Sequence, residues 1–373
     1  WPVDQVYNKL AAYVTSVVPD GSCLSFSIGP LYDALALHLI HKKNLGIHTP
    51  FFTDALMDII ESGAVTNRCK TFFPGKSLAS TALGTKELMR WLDRNPLVEF
   101  QPIDVTQEPK NIGANRNFIA ILPARKADLT GDIGLHAGRG NVIAGRGAVQ
   151  ELFAGAALST NGRTLFALPS RNRKGESNIV LSIVDYPYRF SNRDSLDMIV
   201  TEYGVAYLTG RTIRERAQAL IDIAHPDDRM NLIQQAKEAK FLYADQIYLP
   251  ESGHLYPEDI ACTHTFKNGL VVRIRAIKPS DEDEMRRLFY RFSEQAIYYR
   301  YFNPIKTMPH DRMQEYVNID YRTVISIVVV IEEAEREKII AEARYIRLKD
   351  MDQSYAEIAF IVDEDYHGLG IAS

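Results

Sequence analysis

Cysteine is scarce in this sequence, and the three present, Cys23, Cys69 and Cys262, stand far apart in 373 residues. With no Cys-x-x-Cys pair, neither a disulfide framework nor a cysteine-rich metal site is expected. Long apolar runs are also missing: none reaches the length of a membrane span, and no signal peptide opens the chain. Nor is there a strong excess of one charge. The formal net charge of −4 argues against a nucleic-acid binder held by phosphate neutralisation. His48, His136, His225 and His264 are scattered without the spacing of a metal site, so no metal is expected. Gly138-Arg-Gly140 and Gly145-Arg-Gly147 lack the strand, third glycine, helix and later acid of a dinucleotide fingerprint, which excludes NAD.

What remains is an ordinary globular mix, 46% hydrophobic and 24% charged, which reads as a cytoplasmic enzyme rather than a fibre or a disordered chain. At 373 residues, two or more domains are expected, each with a core of its own. Trp1 is not an initiator and Ser373 falls where a helix should begin, so the sequence reads as a fragment.

The clearest boundary lies between Asp245 and Val271, where Pro250, Gly253, Pro257 and Gly269 give a loop composition. The division is therefore 1–245, a linker over 246–270, and a second domain over 271–373. The first part alternates short apolar strands with helical runs such as 30–40 and 228–244, the pattern of an α/β domain with a largely parallel sheet. The second opens with an alternating strand, Val271 to Ile277. A helix follows over 284–293, with Ser280 as its N-cap and Met285, Leu288, Phe289 and Phe292 on one face. Val324 to Ile331 and Ile339 to Ile346 read as a hairpin with Glu332 to Lys338 as its charged turn. A last strand, Tyr355 to Val362, runs through the acidic turn Asp363-Glu-Asp365 into His367-Gly-Leu-Gly-Ile-Ala372.

A strand feeding a glycine-rich loop presents backbone N–H groups free of side chains, and a helix N-terminus behind them favours a diphosphate. Two glycines alone equally suit an ordinary turn. The order of elements over Val271 to Ser373, together with this loop, resembles the GNAT N-acyltransferases, an α+β fold whose C-terminal remainder lies outside this sequence. That family's loop reads Gln or Arg, two residues, Gly, one residue, Gly or Ala. The corresponding residues here are His367, Gly370 and Ala372, with histidine as the one departure. The resemblance implies an acyl-CoA site formed by Val362, His367, Gly368, Gly370, Ile371 and Ala372. It also implies an acid on the preceding strand as general base, a place held by Glu357. The other role open to Glu357 is a surface partner of Arg344 or Arg347; Glu342 is the fallback base, and the tyrosines around Tyr298 suit an acceptor wall.

The first part carries a different set of motifs in order. They are Pro19-Asp-Gly-Ser-Cys23, Leu45-Gly-Ile-His-Thr49, Ala127-Asp-Leu-Thr-Gly131, Gly145-Arg-Gly147, Arg163-Thr-Leu-Phe166 and Thr201-Glu-Tyr-Gly204. From Val17 to about Lys240 this set resembles the C-terminal half of the acetyl-CoA hydrolase and 4-hydroxybutyrate CoA-transferase family. The resemblance implies CoA contacts at Gly145 and Gly147. It also implies a glutamate nucleophile just after Gly-Ile-His-Thr, where this chain has Pro50, and an oxyanion asparagine where it has Leu122. Asp54 and Glu202 have counterparts in the family beside the lost glutamate, so a structural role is expected for them. The first domain thus reads as a transferase that has lost its catalytic glutamate and is kept for binding CoA or acyl-CoA, or for dimerisation. Together the resemblances imply an N-acyltransferase that uses acetyl-CoA or another acyl-CoA as substrate, with an amine acceptor such as a protein lysine. Two alternatives stand beside it: an active acetyl-CoA hydrolase or CoA-transferase with a regulatory GNAT domain, and a non-catalytic acyl-CoA sensor.

Overall fold

The computed structural model describes residues 4–135, 147–244, 260–266, 268–301, 305–319, 321, 323–333, 336–347 and 356–371. The chain divides into two compact units, Trp1–Thr209 with Ile223–His225, and Gly210–Asp222 with Pro226–Ser373.

The first unit is built on a six-stranded sheet. Its strands are β1 (Cys23–Ser25), β2 (Gly46–Ile47), β3 (Phe118–Pro123), β4 (Arg163–Ala167), β5 (Met198–Thr201) and β6 (Gly204–Tyr207), in the order β6-β5-β4-β3-β1-β2. All neighbours run parallel except β5 and β6. The near-continuous apolar run of β3, buried from Phe118 to Leu122, is what a central parallel strand covered on both faces requires. Helix α1 (Gln5–Ser16) is capped by Asp4, whose carboxylate accepts from Val6 N at 2.9 Å. Helix α2 (Pro30–Leu39) starts with proline at its first position, after Gly29 at φ +126°. The Tyr32 hydroxyl ties α2 to the sheet by donating to Ile121 O at 2.9 Å. Helix α3 (Asp54–Glu61) packs its buried Ala55, Leu56, Ile59 and Ile60 into the same core.

The segment Asp128-Leu-Thr-Gly131 forms a turn folded around one carboxylate. Asp128 accepts from Thr130 N, the Thr130 hydroxyl, Asp132 N and Ile183 N. A four-stranded sheet built around Lys126–Asp128 and Ile133–Gly134 frames this turn.

In the second unit, helices α5 (Ile213–Asp222) and α6 (Pro226–Glu238), counting Val149–Leu158 of the first unit as α4, precede an antiparallel five-stranded sheet. Its strands β7 (Cys262–Thr265), β8 (Val271–Ala276), β9 (Val324–Glu333), β10 (Arg336–Arg347) and β11 (Ala356–Val362) lie in sequence order. Helices α7 (Glu282–Arg291), α8 (Glu294–Tyr301) and α9 (His310–Val317) fall between β8 and β9. The expected apolar face of α7 is buried through Met285, Leu288 and Phe289, with Phe292 just beyond.

Three expectations about elements change. Cys262–Thr265, read as linker, is an edge strand paired with β8. The hairpin arms extend further than expected, Glu332 and Glu333 pairing with Glu337 and Arg336. Ser280 does not cap α7: it lies in a 3-10 turn (Pro279–Asp281), where Asp281 accepts from Lys278 N at 2.7 Å and Ser280 donates to Asp222. The expected linker residues 246–259 lie outside the described residues. No described helix is long and apolar enough to cross a membrane.

Candidate functional site

Two places could carry chemistry, one in each unit. In the first, β2 runs into His48-Thr-Pro-Phe51, and His48, Thr49 and Pro50 are each held by hydrogen bonds. The imidazole of His48 is buried: its Nε2–H donates to Thr106 O at 2.7 Å, while Nδ1 accepts from Asn115 Nδ2 at 3.0 Å. Asn115 in turn accepts from Thr71 N and Phe72 N. Burial pushes the His48 pKa down to about 4; the Thr106 hydrogen bond works against that, and the Lys70 charge adds to it. The Thr49 hydroxyl donates to Phe26 O and accepts from Phe26 N. Pro50 is buried, and its carbonyl accepts from Ser80 N at 3.2 Å and Thr81 N at 3.1 Å.

These bonds fix the stretch in place, yet the proline at position 50 supplies no nucleophile. Leu122, expected from the resemblance to stand where an oxyanion asparagine would, is an apolar core residue of β3, 5% exposed. The neighbouring carboxylates are engaged elsewhere. Glu202 accepts from Ser170 N at 2.8 Å and from its hydroxyl at 2.6 Å. Asp54 accepts from Thr85 N and from the Thr85 hydroxyl at 2.5 Å. Gly147 adopts φ +59° with open space where a side chain would be, while Gly145 lies outside the described residues.

In the second unit, a cleft of about 780 Å³ runs along β11 and the loop after it. Of the residues expected to form an acyl-CoA site, Glu357, Val362, His367, Gly368, Gly370 and Ile371 all line it; Ala372 lies outside the described residues. Tyr299 from α8 forms part of the facing wall. Ile358 and Phe360, which also line the cleft, stand 71% and 61% exposed and alternate to the face opposite that of the Glu357 side chain. Gly368 and Gly370 take φ +76° and +81°, a conformation that favours glycine, and so the loop turns with little side chain in the way.

Glu357 sits opposite Ile346, whereas Arg344 and Arg347 sit opposite Ala359 and Ala356. Among the described residues Glu357 forms no ion pair. Glu342, by contrast, is buried and accepts from the Ser326 hydroxyl and Arg344 Nε, both at 2.8 Å, which removes it as a free base. Among the described residues no cluster of three or more histidine, cysteine or acidic groups could hold a metal.

Residues 84–236 match the family described as the acetyl-CoA hydrolase/transferase C-terminal domain. The match supports that family for this part of the chain, and it leaves the antiparallel sheet of the second unit outside. The chain is 37% identical over 234 residues to a 4-hydroxybutyrate coenzyme A transferase of Clostridium kluyveri, covering 62% of this chain and 54% of that protein. It is 35% identical over 237 residues to a succinyl-CoA:cyclohexane-1-carboxylate CoA transferase of Geobacter metallireducens, covering 63% and 54%. Among solved structures, RipA from Yersinia pestis superposes with a TM-score of 0.61 at 33% identity, over 65% of this chain and 55% of that one. A 4-hydroxybutyrate CoA-transferase from Porphyromonas gingivalis gives 0.57 at 34% identity, over 64% and 57%. The chain thus spans about half the length of these relatives. The mixed α/β architecture with its parallel sheet resembles that of the CoA-transferase structure over the matched part of the chain.

Proposed function

We propose that the protein is an acyl-CoA-dependent transferase built on a CoA-transferase framework. The observation that carries this reading is the 37% identity to a curated CoA transferase across 234 residues. On this reading the first unit handles the CoA thioester, passing CoA between carboxylic acids or releasing it to water, and the second unit regulates it.

A second reading is favoured by one contrast: position 50 holds a buried proline, while Glu357 stands exposed in the cleft of the second unit. Here the acyl group passes from CoA to an amine, a protein lysine being one candidate. A lysine with a pKa near 10.4 is almost wholly protonated at neutral pH, so a base must take a proton first. Glu357, directly or through water, would accept it. The nitrogen lone pair then attacks the thioester carbonyl, the tetrahedral intermediate collapses with breakage of the C–S bond, and CoA leaves as the thiolate, which takes up the proton that the nitrogen sheds as the amide forms. The edge of β11 and the glycine loop would hold the pantetheine and diphosphate.

The test is CoA release from acetyl-CoA by the full-length protein, with acetate or butyrate in one arm and an amine acceptor in the other. Acid-dependent exchange through a trappable enzyme–CoA adduct supports the first reading. Amine-dependent release that disappears in Glu357→Gln supports the second. Binding without release in either arm would leave a non-catalytic acyl-CoA sensor.

A further inference from the structure

The glycine loop of the second unit is held from behind by a junction that takes no part in the chemistry described so far. Strands β9 and β10 pair in register except between Val329 and Val330, where β10 carries one extra residue, Ile340. Such bulges free backbone groups from the ladder and re-aim what lies next to them. Here two other elements use the carbonyls at the irregularity. Arg291, the last residue of α7, donates a guanidinium N–H to Ile339 O, and Asp363 N donates to Ile340 O at 2.8 Å. Arg291 Nε also donates to Asp363 Oδ2 at 2.6 Å, and Asp363 is 2% exposed. The other oxygen of that carboxylate accepts from Asp365 N at 3.3 Å. Ser293 N donates to Glu364 Oε1 at 3.1 Å, and His367 Nε2–H closes the loop by donating to Val362 O at 3.0 Å. Gly368 and Gly370 follow at once.

We propose that Arg291 and Asp363 are a positioning pair, anchored on the bulge of β10, that fixes the glycine loop in the shape its N–H groups need to meet the diphosphate of an acyl-CoA. The inference rests on the acyl-CoA reading of this cleft. Backbone donors hold an anion tightly only when they are ordered before it arrives, since ordering them on binding lowers affinity. Arginine suits the task because its planar fork donates in two directions at once, to a carboxylate and to a carbonyl, which an ammonium on a lysine stem does not reproduce.

The experiment titrates the full chain with acetyl-CoA and with acetyl-pantetheine, which carries the thioester but no diphosphate. Arg291→Met should weaken acetyl-CoA about tenfold while leaving acetyl-pantetheine within about twofold, and Arg291→Lys should fall between. If Arg291→Met does not fold, Arg291→Lys carries the same comparison. Equal loss for both probes, or no loss for either, overturns the positioning role. Gly368→Val, strained at φ +76°, separates this from failure of the underlying reading. If Gly368→Val leaves acetyl-CoA binding untouched, the cleft is not the acyl-CoA site. If it abolishes binding while Arg291→Met does not, only the positioning pair falls.

Discussion

Among the described residues Glu357 forms no ion pair: Ile346 stands opposite it, Arg347 pairs with Ala356, and the guanidinium of Arg344 is held by Glu342 and Tyr316 O. If amine acylation belongs to this cleft, Glu357→Gln should lower amine-dependent turnover about a hundredfold while acyl-CoA affinity stays roughly constant. The residual rate should climb with pH as the free amine fraction grows, which a pH–rate profile would show. His48 makes a prediction of the opposite kind, about stability. Its pKa is about 4 in the fold against 6.5 in the unfolded chain, so on acidification the unfolded chain takes up the proton first. The contribution is complete above pH 6.5 and drains away towards pH 4, a total of about 3 kcal/mol. Urea unfolding at pH 7 and pH 5 should show the loss, and His48→Gln should flatten the difference. Glu202→Ala tests the structural role assigned to that carboxylate. It strands the buried Ser170 N–H and hydroxyl, and should lower stability by about 1–3 kcal/mol in the same assay.

At the scale of elements, the segment from β2 to α3 is held by backbone bonds on both sides of Pro50. Introducing Pro50→Glu would place a carboxylate in a buried position. The substitution should lower the unfolding midpoint and bring no gain in acetate-dependent CoA exchange, measured side by side with the parent protein. Much of the element order was legible in the sequence because burial imposed a period on it. The face of α7 is one example. Cys262–Thr265 was not legible: all four residues are exposed, so no apolar alternation marks the strand, and only its pairing with β8 creates it. The same limit applies to the site. Glu357 and the loop glycines are local signals, whereas Arg291 and Asp363 meet across 72 positions, and the sequence shows only a basic helix end and an acidic turn. Pro50 was legible as a loss only against a family pattern; nothing in the residue itself announces it.

On the scale of the whole molecule, the two units keep separate cores. One is centred on Leu24, Leu35 and Ile121; the other holds Leu288, Phe289 and Val328. Each should therefore melt as its own cooperative block, giving two calorimetric transitions. Saturating acetyl-CoA should raise whichever transition belongs to the unit that binds it, and the shift should vanish in Gly368→Val if that unit is the second. The buried imidazole of the first unit supplies a way to tell the transitions apart. Because the His48 Nε2 proton sits against the Thr106 carbonyl and away from water, it should exchange slowly with solvent. It should then give a ring N–H resonance that survives when surface imidazole protons are lost to exchange. That one signal would serve as a spectroscopic clock for the opening of the first unit, read without a label while the second unit melts or binds its ligand.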